Sequence, residues 1–263
     1  MTSNANEVVV PHIDLQIDGA IALLTLCRPD KLNVLTMATL EALDRACGEL
    51  EQRREVRAVV VWSANAKAFC AGADIAEWGA LPPADMWRLS TRLGHRVLDR
   101  LARLPQPTIA AIDGLALGGG LELALACDIR VAGELARFGM PETTVGAVPG
   151  WGGTIRLPVV VGTAQAKRLI LTGAMIDAQE ALRIGLVQEV ARSEPALAMA
   201  KTMASQIARN APYAVRMVKQ LLDSPHGGLP AETLAAGFAA GLEDGREGVR
   251  AFKEKRKPVF GDA

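Results

Sequence analysis

The pattern of apolar and polar positions divides the chain into two parts. In the first part, apolar runs that suit strands alternate with segments of helical period. The first two runs flank Asp18-Gly19, which is typical of a β-hairpin turn, and Thr36 suits the N-cap of a helix that continues to about Arg53. The predicted strands are 13–17, 20–26, 56–62, 108–113 and 128–131.

From Thr163 onward the pattern is mostly helical and is interrupted only by the apolar run 186–190. The predicted helices are 165–171, 178–183, 195–209, 213–222, 230–241 and 245–255. Strands alternating with helices, followed by helices alone, predict an α/β core and a helical C-terminal region. We expect a core domain over 1–194 that contains the site and a helical region over 195–263, although no linker-like composition marks the boundary.

Composition and charge are those of an ordinary soluble globular protein. The chain has 263 residues, of which 50% are hydrophobic and 22% charged, enough for one large domain. Lys+Arg and Asp+Glu both total 29, so no overall field favours nucleic acid or a membrane surface as a partner. The longest apolar stretch is interrupted by Asp113 and Glu122, which argues against a membrane span.

The cysteines and histidines indicate neither a disulfide framework nor a metal site. They are well separated along the chain: Cys27, Cys47, Cys70 and Cys127, and His12, His95 and His226. Cys70 is better explained as a small buried side chain than as a nucleophile, because no histidine is near it in sequence. Free thiols, and an N-terminus over 1–8 without leader features, predict a cytoplasmic protein.

Three glycines, Gly118 to Gly120, precede a helical apolar run. Such a turn can bring backbone N–H groups and a helix N-terminus against an oxyanion or a phosphate. A dinucleotide-binding match that starts at Gly118 fails because Leu123 stands where the last glycine is required, and no Gly-Lys-Ser/Thr follows. An oxyanion hole is therefore favoured, with close helix packing as the alternative. The loop 68–75 is a second candidate donor, or an ordinary strand-to-helix turn.

Two glutamates lie in apolar, glycine-rich surroundings where a charge is costly. Glu122 is expected about one turn inside the helix that follows the three glycines. Glu142 follows Pro141, as at the second position of a helix, where favourable capping is an alternative role. Two such carboxylates suit acid/base chemistry at a carbon centre, so the sequence predicts an enzyme.

The chain resembles the crotonase superfamily, the enoyl-CoA hydratase/isomerase family, over nearly its whole length. The segments that carry the resemblance are 22–33, 68–75, 114–128, 141–153 and 248–256. The resemblance implies an α/β fold built as a spiral of ββα units, with a helical C-terminal region that trimerises, often as a dimer of trimers. It also implies an acyl-CoA thioester as the substrate and no cofactor or metal.

The same resemblance implies roles for individual residues. The thioester oxygen would accept hydrogen bonds from the amides of Ala73 and Gly119. Hydratases have glutamates at the positions of both Glu122 and Glu142; Glu122 would deprotonate water, and Glu142 would exchange a proton at the α-carbon. The expected activity is therefore that of an enoyl-CoA hydratase. The alternatives are double-bond isomerisation, dehydration of a functionalised hydroxyacyl-CoA, thioester hydrolysis, or a catalytically silent scaffold.

The resemblance also indicates residues for the rest of the substrate. The expected CoA contacts are Ala71, Ala73, Asp74, Ile75, Ala76, Gly119 and Lys255, and the expected acyl-pocket residues are Trp78, Gly150 and Trp151. Two positions depart from the family: Ala76 stands where a lysine is often found, and Trp151 stands where common hydratases have a small residue. Trp151 could equally serve core packing, and Lys255 could be a solvated lysine.

Overall fold

A computed structural model describes residues 12–224 and 228–261. The predictions about His226 and residues 1–8 concern positions outside this part of the chain. The described residues form two β-sheets surrounded by helices. The strands are β1 Ile13–Asp18, β2 Ile21–Leu26, β3 Ala58–Ser63, β4 Ala68–Cys70, β5 Thr108–Ile112, β6 Leu115–Leu117, β7 Ile129–Gly133, β8 Arg137–Gly139, β9 Ile176–Asp177 and β10 Glu189–Ala191.

Helices follow most of the strands. They are α1 Met37–Gln52, α2 Ile75–Gly79, α3 Pro83–Asp85, α4 Arg92–Ala102, α5 Gly119–Leu125, α6 Gly153–Val161, α7 Thr163–Thr172, α8 Ala178–Arg183, α9 Ala196–Ala208, α10 Pro212–Asp223, α11 Gly228–Gly241 and α12 Glu243–Lys253. A π-helical segment, Met86–Thr91, joins α3 to α4, and 3₁₀ helices occupy Pro29–Lys31 and Pro141–Val145.

The two sheets are built by repeated ββα turns. The six-stranded sheet has the order β1-β2-β3-β5-β7-β10, and the four-stranded sheet has the order β4-β6-β8-β9. In three successive pairs, β3–β4, β5–β6 and β7–β8, the first strand joins the larger sheet and the second joins the smaller one. After the first two pairs a helical segment returns the chain to the larger sheet, and after the third the chain passes through β9 of the smaller sheet before β10 rejoins the larger one. The predicted α/β spiral of ββα units is therefore confirmed.

The longer predicted elements are confirmed with small shifts. β1 and β2 pair antiparallel around the predicted turn, with Asp18 opposite Ile21. The side chain of Thr36 accepts a hydrogen bond from the Thr39 amide at 3.1 Å, so Thr36 is the N-cap of α1 as predicted. The buried face of α1 includes all four expected positions, Leu40, Leu43, Ala46 and Leu50.

Several elements were not predicted from the sequence, among them β4, β6, β8, β9, α4 and α6. β4, β6 and β8 have three residues each, too few to show a period-2 pattern, and they are defined by pairing with distant strands. α6 has Pro158 in its interior and two glycines at its start, which hid its helical period. The prediction of a single glycine loop over 68–75 was therefore wrong in part: it contains β4, a turn, and the start of α2.

The smaller sheet positions three segments that matter for the site. β4, β6 and β8 are mutually parallel, so their carboxyl ends lie at the same edge. The residues that follow these strands are the turn 71–74, Gly118, and the segment that leads into Pro141–Val145. Parallel pairing thus brings together segments that are more than 60 residues apart in sequence.

The C-terminal helices are unequally buried. α9 packs through Ala196, Ala200 and Ala204 against one face of the larger sheet. α11 and α12 instead expose large apolar side chains, among them Leu234, Phe238, Val249 and Phe252. The boundary near residue 195 stays a prediction. No helix in the described ranges is long and apolar enough to cross a membrane.

Candidate active site

Two backbone N–H groups from separate turns lie side by side. A Cβ atom placed on Gly72 would lie 3.2 Å from the Leu117 carbonyl oxygen and 3.8 Å from the Gly119 nitrogen. A Cβ on Gly119 would lie 3.3 Å from the Ala73 nitrogen. No acceptor within the described part of the chain is paired with the N–H of Ala73 or Gly119. The two donors predicted for the oxyanion are therefore adjacent and have no competing partner there.

Gly118 makes room for a carboxylate beside these donors. Its φ of +51° and ψ of −122° are strained for any residue with a side chain. A Cβ on Gly118 would lie 3.1 Å from Oε1 of Glu142 and 3.5 Å from its Cδ. The Gly118 amide donates to the Gly139 carbonyl at 2.9 Å, which continues the pairing of β6 with β8. Glu142 is thus held against the start of α5.

Glu122 is buried and firmly hydrogen-bonded. It is the fourth residue of α5, as predicted, and only 2% exposed. Its Oε1 accepts hydrogen bonds from the amides of Trp151 and Gly153, both at 2.8 Å. Burial raises the pKa of Glu122, while these amides and the positive charge of Arg156 oppose the increase. The carboxylate is therefore fixed in place by backbone donors.

Glu142 is partly buried and has no such donors. It is the second residue of the 3₁₀ helix Pro141–Val145, as predicted. Neither carboxyl oxygen has a hydrogen-bond partner among the residues that the structure describes. Burial, with a smaller contribution from the charge of Glu122, raises the pKa of Glu142 to about 7. This carboxyl group can therefore gain and lose a proton near neutral pH.

Trp151 forms a wall of the same site. Its ring is 4% exposed and packs against two glycines, Gly119 of α5 and Gly94 of α4. A Cβ on Gly119 would lie 2.6 Å from Cζ3 of the ring, and a Cβ on Gly94 would overlap the indole nitrogen. The ring is thus part of the core and also borders the donor pair. Its effect on an acyl chain stays a prediction, as does that of the neighbouring Gly150.

The residues expected along CoA begin at the same turn. The Ala71 amide donates to the Leu32 carbonyl at 3.0 Å. Asp74 caps α2 by accepting from the Ala76 amide at 3.1 Å, and it lies 3.5 Å from Arg28. The side chain of Ile75 is exposed, and the residue is 61% accessible. The structure therefore gives Asp74 a structural role and leaves Ile75 and Ala76 open to solvent.

Two further predicted residues lie at the ends of helices. Trp78, near the end of α2, is partly buried. Lys255 follows α12, is exposed, and has a φ of +56°. α12 packs against α11. The predicted contacts of Trp78 with an acyl chain and of Lys255 with a CoA phosphate stay predictions.

Sequence reasoning missed the groups that hold Glu122. The amides of Trp151 and Gly153 come from the turn before α6, about 30 residues from the glutamate. The run Gly150-Trp-Gly-Gly153 was visible as glycine-rich, and a Cβ on Gly153 would lie 3.0 Å from Oε1 of Glu122. Spacing cannot show which buried acid such a turn will contact.

The cysteines are free and mostly buried, and the metal-binding side chains form no cluster among the described residues. All four cysteines are free, and Cys70 is fully buried, as predicted. Burial raises the pKa of the Cys70 thiol to about 12. Within residues 12–224 and 228–261, no group of three His, Cys, Asp or Glu side chains could hold a metal ion.

Comparison with known proteins agrees with this geometry. A sequence profile described as enoyl-CoA hydratase/isomerase matches residues 16–263. A short-chain-enoyl-CoA hydratase of Clostridium acetobutylicum is 42% identical over 251 residues, which cover 94% of this chain and 96% of that protein. The mitochondrial methylglutaconyl-CoA hydratase of Rattus norvegicus is 37% identical, with 97% of this chain and 83% of that protein covered.

Solved structures show the same fold. The crystal structure of an enoyl-CoA hydratase from Bacillus anthracis matches with a TM-score of 0.92 and 38% identity, covering 96% of this chain and 100% of that chain. An adjacent donor pair beside one buried and one partly buried acid, on a ββα spiral, defines a crotonase-fold enzyme. The chain belongs to the enoyl-CoA hydratase/isomerase family.

Proposed function

We propose that this protein is an enoyl-CoA hydratase, which adds water reversibly and with syn geometry across the double bond of a 2-enoyl-CoA thioester. The observation that supports this most strongly is that two carboxyl groups, Glu122 and Glu142, lie near the amides of Ala73 and Gly119, which have no acceptor among the described residues. The names of the relatives agree with it.

The donor pair would stabilise the negative charge on the thioester oxygen. As water adds to the β-carbon, electrons shift to this oxygen and produce an enolate, which accepts hydrogen bonds from Ala73 and Gly119. One such donor typically contributes about 3 to 4 kcal/mol to transition-state stabilisation. Both donors are backbone groups held by the ends of β4 and β6, so little reorganisation is needed.

The two acids would divide the proton transfers. Glu122, ionised and fixed through Oε1, would use its other oxygen to orient water and take its proton. Glu142, whose pKa is raised to about 7, would donate a proton to the α-carbon as the enolate collapses. The proton gained by Glu122 must then return to Glu142, directly or through solvent, so that both groups are restored before the next turnover. In the reverse direction each group takes the opposite role. Backbone donors and carboxyl groups suffice for these steps, so we propose that no cofactor or metal is needed.

Further contacts with the substrate belong to the same proposal. CoA would lie along Ala71, Asp74, Ile75 and Ala76, and the exposed Ile75 side chain supports an apolar contact there. Lys255 would reach a CoA phosphate. The acyl chain would be bordered by Trp78, Gly150 and Trp151.

We also propose that the protein assembles as a trimer or a dimer of trimers. The apolar side chains that α11 and α12 expose support burial against other copies of the chain. Light scattering of the purified protein tests the assembly. A cytoplasmic location is supported by the four free cysteines.

Product analysis tests the activity. We would incubate the protein with crotonyl-CoA, longer 2-enoyl-CoAs, 3-enoyl-CoAs, 3-hydroxyacyl-CoAs and saturated acyl-CoAs in ¹⁸O-labelled water, and identify the products by mass spectrometry. A hydratase incorporates one labelled oxygen into a 3-hydroxyacyl-CoA. A shifted double bond or free CoA as the main product would indicate an isomerase or a thioesterase and would overturn the proposal.

A further inference from the structure

One arginine contacts the turn that holds Glu122 without touching the glutamate itself. Arg156 lies in the first turn of α6, and its Nη1 donates a hydrogen bond to the Trp151 carbonyl at 3.1 Å. The amides on either side of this peptide, those of Trp151 and Gly153, are the two donors to Glu122 Oε1. These three consecutive peptide groups, from the Trp151 amide to the Gly153 amide, form a clamp on Glu122. The guanidinium group of Arg156 is hydrogen-bonded to the middle one.

Gly152 is the residue of this clamp at which the backbone can rotate most easily. Gly152, between the two donor residues, has a φ of +108°, a conformation that residues with side chains rarely adopt. A Cβ on Gly152 would overlap Nη1 of Arg156, so the guanidinium packs directly on the glycine backbone. A hydrogen bond to the Trp151 carbonyl restrains the rotation that Gly152 would otherwise permit.

The charge of Arg156 also faces the buried acid. The groups that interact electrostatically with its guanidinium are Asp99, Glu122, Arg103 and Cys127. Asp99 is on the outer side, 3.7 Å away and half exposed. The positive charge of Arg156 lowers the pKa of Glu122, against the larger opposing effect of burial.

We propose that Arg156 is a positioning residue for Glu122: it fixes the 151–153 turn so that two amides point at the carboxylate, and its positive charge favours the ionised form. The inference rests on the proposed hydratase function for its kinetic readout. A purely structural role for Arg156 would affect folding and leave the pH dependence of catalysis unchanged.

The test compares Arg156→Gln and Arg156→Lys with the wild type. The matched control is Arg168→Gln, because Arg168 forms an exposed salt bridge to Glu180 on the surface. We would measure kcat and KM for hydration between pH 5 and 9, together with thermal unfolding. Arg156→Gln should lower kcat by about 10- to 100-fold with a small change in KM. It should also move the acidic limb of the profile up by about 0.5 to 1 pH unit, because Glu122 loses its cation.

Arg156→Lys should restore most of the pH shift, since it keeps the charge, and only part of kcat, since a lysine lacks the planar guanidinium. Arg168→Gln should match the wild type in kcat and in the position of the acidic limb. An unshifted acidic limb in Arg156→Gln, whatever its kcat, would overturn the proposal.

A second readout separates this proposal from the hydratase assignment. Infrared titration of the protonated carboxyl band, with Glu122→Gln to identify the Glu122 signal, needs no substrate. If the wild type hydrates no enoyl-CoA, the proposed function fails, while a raised Glu122 pKa in Arg156→Gln would still support the positioning role. An unchanged Glu122 pKa would reject it.

Discussion

Glu122 and Glu142 are the same type of residue, but the regions around them differ in the hydrogen-bond donors that they supply to the carboxyl group. Glu122 sits on α5, is 2% exposed, and accepts two amide hydrogen bonds from the turn before α6. Glu142 sits on a short 3₁₀ helix and has no donor to either oxygen within the described residues. Donors stabilise the charged form of an acid, and their absence favours the neutral form.

The comparison supports the proposal that one site holds a base and an acid at the same pH. A buried carboxylate needs partners to remain ionised, and the 151–153 turn supplies them. A carboxyl group that lacks partners keeps its proton to a higher pH, about 7 for Glu142. The difference arises from where backbone N–H groups point, because the side chains are identical.

Removing either carboxyl group should have the largest effect. Glu122→Gln and Glu142→Gln should each lower kcat by about 10²- to 10⁴-fold, because a glutamine cannot transfer the proton. Initial rates with the best substrate of the product analysis measure this loss. Wild-type rates in both variants would contradict the assigned roles.

Alanine variants sharpen the same contrast. Glu122→Ala leaves the Trp151 and Gly153 amides without an acceptor, at a cost of about 1 to 3 kcal/mol for each buried group, whereas Glu122→Gln keeps an oxygen for both. Glu142→Ala leaves no donor of the described residues without its acceptor, so the free energy of unfolding of this variant should not decrease in the same way. Denaturant unfolding of the three variants checks this, and equal losses at both positions would contradict it.

Filling the space beside Gly119 with a methyl group should have the next largest effect on kcat. In Gly119→Ala, the new Cβ would lie 2.6 Å from the Trp151 ring and 3.3 Å from the Ala73 nitrogen. We expect a loss of about 10²- to 10³-fold in kcat, because the donor pair is displaced. Gly237→Ala, in α11, is the control, since a Cβ there meets nothing within 4 Å. Activity retained in Gly119→Ala would show that Ala73 and Gly119 do not bind the oxyanion.

The smallest effect concerns stability as a function of pH. The pKa of Glu142 is about 7 in the folded protein and near 4.5 in the unfolded chain, so the folded state binds more protons between these values. Its contribution to stability is therefore present below pH 4.5 and is lost as the pH rises to 7. Glu142→Gln has no such loss and should gain on the wild type by about 1 kcal/mol between pH 4.5 and 8, less than the full pKa shift implies, because the carboxyl group is only partly buried and solvent screens its charge. Urea unfolding at both ends of this range measures the difference, and a constant difference would contradict it.

Local patterns in the sequence determined the larger elements, the candidate acids and the family. The hairpin around Asp18-Gly19 and the helix capped by Thr36 follow from nearby residues, so they could be predicted without tertiary contacts. Glu122 and Glu142 stood out because a charge in an apolar, glycine-rich run requires an explanation.

Tertiary structure alone decided how these groups meet. The parallel pairing of β4, β6 and β8, strands of three residues each, brings the turn at Ala73, the turn at Gly118 and the segment at Glu142 to one edge. The turn at 151–153 then supplies the donors for Glu122 from 29 and 31 residues away. Hydrogen bonds and burial act through space, so which acid is fixed and which is free depends on contacts that the order of residues does not specify.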